Sequence, residues 1–168
     1  MSKNGFSDKL VKDLADWIKE KPDKLIVIKL KDLTDYLSVP SKQIKVNFVI
    51  YKVWRRKQAG IEYSLTCINP GKIGKQHFMT RGHLHRKPYL EILIPVSGKG
   101  VFVTVESGKV KVIQLKPNQV YVLPFGFHRT VNLSKKPLIF LTVQRAGAGH
   151  DYAKARELIR KKAKELLI

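Results

Sequence analysis

The chain has 168 residues, of which 43% are hydrophobic, so it is long enough for one domain with a substantial core. Its single cysteine, Cys67, excludes an intramolecular disulfide and a zinc site built from thiolates, which indicates a reducing compartment. With 33 Lys and Arg against 13 Asp and Glu, the formal charge of +20 makes this a basic protein that favours anionic ligands and acidic partners.

Residues 1–44 are interpreted as an N-terminal extension that wraps around the main domain. Ser7 is a candidate helix N-cap, because its hydroxyl can accept a hydrogen bond from a backbone N–H of the first turn. Apolar residues then recur on one helical face up to Lys21-Pro22, where the helix should end. A strand over residues 25–28 and a short helical turn over residues 33–37 complete this extension.

From residue 45 to residue 150 the pattern changes to short β-branched and aromatic runs separated by Gly, Pro, Asn and Ser, which is typical of a β-sandwich or barrel. The predicted strands span residues 46–54, 62–68, 77–85, 91–96, 100–105, 109–115, 120–123 and 138–143. Residues 151–168 predict an amphipathic C-terminal helix that packs on the barrel. The expected fold is therefore mainly β, with a helix at each end.

Four residues of the predicted barrel form a candidate metal site. His83 and His85 are two apart, so on a strand their imidazoles project from the same face and can bind one ion. Glu91 begins the next apolar run, which could fold back beside the first, and His128 follows 37 residues later. Three imidazoles and a carboxylate suit Fe2+, Mn2+, Ni2+ or Zn2+. We expect one divalent metal ion per subunit, and these residues alone leave the choice among the four metals open.

Four separated motifs together resemble the archaeal cupin-type phosphoglucose isomerases. They lie at residues 70–75, 78–85, 128–132 and 148–152, in the order found in that family, and the similarity covers residues 46–153. The resemblance implies the double-stranded β-helix of the cupin superfamily, a jelly-roll barrel. It also implies a homodimeric enzyme of glycolysis and gluconeogenesis, which interconverts glucose 6-phosphate and fructose 6-phosphate with a bound divalent metal.

The resemblance implies roles for individual residues near the metal. It makes His83, His85, Glu91 and His128 the metal ligands, and it places His150 near the sugar, where it could help ring opening or proton transfer. Isomerisation moves hydrogen between C1 and C2 of the sugar. A metal that touches O1 and O2 would polarise the carbonyl, and Glu91 could then act as a base through an enediol intermediate. A hydride shift is the alternative route.

The resemblance also assigns five residues to the substrate phosphate: Tyr51, Thr66, Thr80, Gly82 and Tyr152. Hydroxyl and backbone N–H groups suit a phosphate, because they donate short charge-assisted hydrogen bonds without adding a competing ion pair. One position departs from the family, which normally has Tyr two residues after the metal-binding Glu, where this chain has Leu93. That change removes a hydrogen-bonding hydroxyl from the sugar pocket.

Other functions remain open on the sequence. A cupin with this ligand set could be an oxygenase, an enzyme for another sugar phosphate such as mannose 6-phosphate, or a metal-binding protein without catalysis. The basic surface could also hold nucleic acid non-specifically, although no recognition motif accompanies it. The first residues lack the apolar core of a signal peptide, and no apolar run has the length of a membrane span, so we expect a cytoplasmic protein.

Overall fold

The computed structural model describes residues 7–36, 46–123 and 125–166. The helices are α1 (Asp8–Glu20), α2 (Tyr152–Lys161) and α3 (Ala163–Leu166), with a 3-10 helix at Leu30–Tyr36. The strands are β1 (Lys24–Lys29), β2 (Val49–Gln58), β3 (Ile61–Ile68), β4 (Lys72–Ile73), β5 (Gln76–His77), β6 (Leu84–His85), β7 (Glu91–Ser97), β8 (Gly100–Glu106), β9 (Lys109–Leu115), β10 (Tyr121–Leu123), β11 (Phe127–Asn132), β12 (Leu138–Arg145) and β13 (His150–Asp151). The predicted boundary between extension and barrel, at residues 44 and 45, lies outside the described residues.

Two antiparallel sheets enclose the main core. The larger has the strand order β1-β2-β3-β12-β7-β10, and the smaller has the order β11-β8-β9. Phe102 and Val131 from the smaller sheet share one buried cluster with Ile68, Leu93 and Phe140 from the larger one. The mainly β architecture predicted from the short alternating runs is therefore present.

Helix α1 covers the outer face of the larger sheet. Side chains alternate between the two faces of a strand, so Leu65, Ile94 and Leu141 point away from the main core and form a second buried cluster with Val11 and Ile18 of α1. Burying a side chain such as Ile18 contributes about 2 kcal/mol. The other face of the sheet is consequently left to line the interior of the barrel.

The start of α1 and its attachment to the sheet follow from a few specific contacts. The Ser7 hydroxyl accepts a hydrogen bond from the Leu10 N–H at 3.2 Å, as predicted for the N-cap. The Arg56 guanidinium lies 3.9 Å from the centre of the Trp17 ring, and its Nη1 donates to the Trp17 carbonyl at 2.7 Å. Trp17 also meets the Tyr63 ring edge-on, with 5.4 Å between centroids. These contacts fix the helix on the sheet.

The structure corrects three expectations about the strands. The predicted strand over residues 77–85 is wrong, because β5 ends at His77 and β6 begins only at Leu84; between them Gly82 has φ +74°, which is incompatible with an extended strand. The strand that begins at Glu91 does not lie beside β6: β7 pairs with β12 and β10, whereas β6 pairs with β13. Strand β11, whose six residues are all buried, was missed.

The C-terminal helix packs on the barrel but is shorter than predicted. Asp151 is its N-cap, with Oδ1 accepting from the Lys154 N–H at 2.9 Å. The helix is interrupted after Lys161 and resumes as α3, and Leu166 is buried in the main core, where its carbonyl accepts a hydrogen bond from Arg129. In the described part of the chain, no helix has both the length and the apolar character needed to cross a membrane.

Candidate metal centre and cleft

Backbone pairing brings the candidate metal ligands together from distant parts of the chain. His83 and His128 are partners in an isolated antiparallel bridge, in which each backbone N–H donates to the other's carbonyl at 3.1 Å. His85 ends β6, next to His83, and Glu91 is the first residue of β7. The bridge therefore brings His83 next to His128, which the spacing of the two residues in the sequence could not predict.

The four side chains converge on one point. One nitrogen from each of the three imidazoles and one oxygen of the Glu91 carboxylate all lie within 4.8 Å of one another. The Nε2 atoms of His83 and His85 are 3.1 Å apart, and Glu91 Oε2 lies 2.8 Å from His85 Nε2 and 3.3 Å from His128 Nε2. This arrangement has the donor types and the compactness that a divalent transition metal requires.

Unpaired buried atoms support the same interpretation. Glu91 Oε2 and His128 Nε2 are buried and have no aligned hydrogen-bond partner among the described residues, although they approach each other closely. His128 Nδ1 lies 3.2 Å from the Gly126 carbonyl, which can only accept, so a hydrogen bond there puts the proton on Nδ1 and leaves a lone pair on Nε2. His128 is thus oriented as a metal ligand, and the residues present fit a bound metal.

The electrostatics of the cluster keep Glu91 and His83 in their metal-binding forms. Burial raises the pKa of the Glu91 carboxyl, but the adjacent His128 and His85 imidazoles lower it by more, so its pKa falls well below the usual range. Burial, and then the neighbouring His128 and His150, lower the pKa of His83 well below its usual value. An ionised carboxylate and neutral imidazoles are the protonation states that bind metals.

His150 and Tyr152 lie directly beside this cluster. The His150 ring stacks on His83 with 3.9 Å between centroids, and its Nδ1 is 3.0 Å from the Tyr152 hydroxyl. Burial above all, and then the positive charge of Arg55, lower the pKa of His150 to about 4. Both residues are positioned by β13 and the start of α2, and the β13 pairing with β6 sets His150 opposite His85.

A cleft of about 630 Å³, part of it open to solvent, leads to the cluster. All five residues assigned to the phosphate line it: Tyr51, Thr66, Thr80, Gly82 and Tyr152. The Thr80 hydroxyl accepts from the Thr130 N–H at 3.0 Å, and the Tyr51 hydroxyl accepts from the Arg81 N–H at 3.3 Å. Because each oxygen already accepts a bond from the backbone, the protons of these hydroxyls can point into the cleft toward an anion. The roles of the five residues remain predictions.

The cleft also contains polar residues that sequence reasoning missed. Arg81 belongs to the motif at residues 78–85. Its guanidinium lies 5.4 Å from the Tyr152 ring centre, and its Nη2 donates to the Asp32 carbonyl at 3.2 Å. Arg55 and Gln144 line the wall on β2 and β12. Arg55 follows Tyr51 by four residues, so the alternation along β2 could have placed both on one face, but the Arg55-Arg56-Lys57 run looks like a solvated basic cluster.

Leu93 lies where the family resemblance put it, in the wall of the cleft. Its side chain is almost completely buried, and its strand neighbours are Thr142 on β12 and Tyr121 on β10. The position thus faces the interior as predicted for the missing tyrosine, and it contributes apolar surface instead of a hydroxyl.

Comparison with known proteins adds an independent line of evidence. The family model described as Glucose-6-phosphate isomerase (GPI) matches residues 51–161. A glucose-6-phosphate isomerase of Thermococcus kodakarensis is 36% identical over 144 residues, which cover 80% of this chain and 76% of that protein. One of Pyrococcus furiosus is 34% identical over 145 residues, with 80% and 77% covered.

Solved structures bear on the fold alone. An oxalate oxidase aligns with a TM-score of 0.53 at 16% identity, covering 62% of this chain and 55% of that one. An oxalate decarboxylase aligns with a TM-score of 0.50 at 21% identity, covering 65% of this chain and 31% of that one. The predicted cupin barrel with a helix at each end is confirmed. Because the family model matches most of the chain and the relatives align over most of their length, this chain belongs to the glucose-6-phosphate isomerase family.

Proposed function

We propose that this protein is a metal-dependent glucose-6-phosphate isomerase, which interconverts glucose 6-phosphate and fructose 6-phosphate. One observation carries the proposal: three imidazoles and a carboxylate converge within 4.8 Å at a cleft that is also lined by hydroxyl groups suited to a phosphate. Family membership supports the reaction type, since the relatives that match most of the chain are named glucose-6-phosphate isomerases.

The proposed cofactor is one divalent metal ion per subunit, held by His83, His85, Glu91 and His128. A bound divalent ion supplies Lewis-acid polarisation of the sugar carbonyl. Fe2+ is our first expectation, followed by Mn2+, Ni2+ and Zn2+. A mixed nitrogen and oxygen site binds all four metals and selects among them by availability as much as by affinity.

The proposed phosphate site comprises the hydroxyls of Tyr51, Thr66, Thr80 and Tyr152, together with the backbone at Gly82. Thr66 is buried on β3, and Gly82 has φ +74°, so the chain turns there beside the metal ligand His83. The net charge of +20 raises the local concentration of an anionic substrate without requiring an ion pair in the cleft.

Glu91 and His150 are the proposed groups for proton transfer. Isomerisation through an enediol needs a base that takes a proton from one carbon and returns it to the neighbouring carbon. His150 lines the cleft, stacks on His83 and contacts the Tyr152 hydroxyl, so its ring is held in one orientation beside the candidate metal site. Reaction in D2O separates the routes, because an enediol exchanges hydrogen with solvent whereas a hydride shift retains it.

The test is turnover by metal-free protein to which single metals are returned. Protein stripped with EDTA is supplied separately with Fe2+, Mn2+, Ni2+ or Zn2+ and incubated with fructose 6-phosphate, and glucose 6-phosphate and mannose 6-phosphate are both measured. Metal-dependent formation of glucose 6-phosphate, absent from His85→Ala, is the expected result. Stoichiometric metal binding without any turnover would contradict the isomerase proposal and favour a binding role or an oxygenase.

We further propose that the protein works as a homodimer in the cytoplasm. The single cysteine and the family resemblance support this placement. Contact with nucleic acid would be a non-specific consequence of the basic surface. Sedimentation at several protein concentrations tests the dimer, and DNA retention that falls steeply with salt and shows no sequence preference tests the non-specific contact.

A further inference from the structure

Three polar side chains on neighbouring strands form a polar wall that the proposed mechanism does not use. Two of them line the cleft, and all three line the pocket that adjoins it. They are Arg55 on β2, Glu62 on β3 and Gln144 on β12. Gln144 lies opposite Glu62 in the strand register, and its Nε2 donates to Glu62 Oε1 at 3.1 Å. Arg55 Nε lies 3.7 Å from the same oxygen. Glu62 therefore accepts a hydrogen bond from Gln144 and forms an ion pair with Arg55 at a distance too long for a hydrogen bond.

Two of the three side chains are buried and Arg55 is half-buried, which makes the unpaired polar atoms of the wall informative. Glu62 is 6% exposed and Gln144 is 8% exposed. Gln144 Oε1 and Arg55 Nε are buried, and neither has a hydrogen-bond partner in the part of the chain that the structure describes. A buried donor or acceptor without a partner is destabilising, so such atoms indicate a group that the protein receives from outside.

The residues that carry these two atoms lie at the cleft that leads to the metal cluster. Arg55 and Gln144 both line it, and His150, which stacks on a metal ligand, is close enough to Arg55 to be affected by its charge. The carboxylate of Glu62 offsets the guanidinium charge, with Lys57 Nζ reaching it from solvent at 3.8 Å. The wall thus offers guanidinium N–H donors and one amide acceptor, with the guanidinium charge offset by a carboxylate, which matches neutral hydroxyls better than a second anion.

We propose that Arg55 and Gln144 bind the hydroxyls of the sugar chain that lie between its carbonyl end and its phosphate, and that they determine which sugar the site accepts. Glu62 is a positioning residue that holds both side chains. The inference rests on the proposed isomerase function, since it takes a sugar phosphate as the ligand. It assigns this chain a polar contact to the sugar in a cleft where Leu93 provides none.

The test pairs variants of the wall with substrates that lack single hydroxyls. Gln144→Met keeps the side-chain length and removes the acceptor, and Gln58→Met, at an exposed position on β2, is the matched control. Each protein is assayed with fructose 6-phosphate and with its 3-deoxy and 4-deoxy analogues. We expect Gln144→Met to lower kcat/KM for fructose 6-phosphate by about 10- to 100-fold, while one deoxy analogue changes by less than about 2-fold.

A structural role would produce a different pattern. If Gln144→Met lowers kcat/KM equally for all three substrates, or for none, the hydroxyl contact is wrong. For Glu62→Gln we expect a smaller loss of the same selectivity, and the double variant should be no worse than Gln144→Met alone. Equal metal content in all proteins, measured by elemental analysis, confirms that the cluster is intact.

Binding measurements separate this inference from the isomerase proposal. Glucitol 6-phosphate carries the hydroxyls but cannot be isomerised, and inorganic phosphate carries none. If the wild-type protein shows no turnover, yet Gln144→Met weakens binding of glucitol 6-phosphate and not of inorganic phosphate, the isomerase proposal fails and the hydroxyl site stands. If turnover is normal and both ligands bind the variant as they bind the wild type, the hydroxyl site fails by itself.

Discussion

His83 and His128 are joined by a reciprocal pair of backbone hydrogen bonds, each 3.1 Å long, although they are separated by 45 residues of sequence. Their imidazole centroids lie 4.3 Å apart, and Glu91 and His85 complete the cluster around them. Two candidate metal ligands are thus positioned by strand-like pairing of the backbone, so their placement depends on the fold more than on side-chain contacts.

Metal binding should stabilise the folded protein measurably. Because the four ligands come together only in the folded chain, a metal present at 1,000 times its dissociation constant adds about 4 kcal/mol to the free energy of unfolding. Thermal melting with and without each metal measures this gain. His85→Ala should abolish it, whereas His77→Ala, at a half-buried position outside the cluster, should retain it. Equal melting shifts in both variants would rule out the cluster as the binding site.

Gly82→Ala should damage the site through a steric clash next to His83. A Cβ at Gly82 would lie 2.9 Å from the Phe127 ring and 3.2 Å from Arg129 Cβ. Gly108→Ala is a matched control, because Gly108 has nearly the same φ, +75°, and nothing within 4 Å of its Cβ position. We expect the control to cost about 1 kcal/mol from backbone strain and Gly82→Ala to cost about 3 kcal/mol. Urea unfolding and metal affinity are the measurements, and similar losses in both variants would disprove the clash.

Tyr51→Phe should weaken binding of the substrate and affect turnover much less. Its hydroxyl accepts from the Arg81 N–H and so directs its own proton toward the proposed phosphate site. We expect KM for fructose 6-phosphate to rise about 10-fold, as for a lost charge-assisted hydrogen bond, with kcat nearly unchanged. A fall in kcat at constant KM would place Tyr51 at the reacting carbons instead.

The contribution of Tyr51 should also persist at alkaline pH. Burial raises the pKa of Tyr51 to about 12, so the phenol keeps its proton and still donates at pH 10, where a tyrosine with its ordinary pKa would be half ionised. The ratio of KM between Tyr51→Phe and the wild type should therefore stay constant from pH 7 to about pH 10. A ratio that falls toward 1 over this range would show that the hydroxyl ionises early.

Asp151 should link the stability of α2 to the geometry of the cleft. Its carboxylate caps α2, and its neighbours His150 and Tyr152 both line the cleft. Asp151→Ala should cost about 1 kcal/mol, as for other N-caps, and should also lower kcat. Asp151→Asn retains a capping oxygen and should preserve both. If Asp151→Asn is as damaged as Asp151→Ala, the carboxylate acts by its charge and not by capping.

Much of the fold was readable from local pattern. The Ser7 cap, the end of α1 before Lys21-Pro22 and the strand that begins at Glu91 follow from residue preference and alternation, because each is decided by neighbouring residues. Strand β11 was missed because its six residues are all buried, so they do not alternate between polar and apolar types. The strand also includes His128, Arg129 and Asn132, which interrupt any apolar run.

The parts of the candidate site that lie in sequence motifs could be predicted, whereas the parts that depend on pairing between distant strands could not. The four candidate metal ligands were predicted from residue types and spacing, and the structure brings them together. The predicted strand through His83 failed because Gly82 turns the chain, so the common orientation of the two imidazoles comes from the pairing with His128 and from β13. The polar wall of Arg55, Glu62 and Gln144 joins three strands, and no local pattern could relate them.

The segment before the barrel has a consequence for how this protein can be divided. The carbonyl of Asp32 accepts from Arg81, the Tyr36 ring lies 5.7 Å from the same guanidinium, and Leu30 and Leu33 are buried in the main core. A gene trimmed to the family-matched region would thus delete the contacts of the cleft residue Arg81 together with part of the core. In a chimaera of two relatives, residues equivalent to 30–36 should therefore come from the same parent as the barrel.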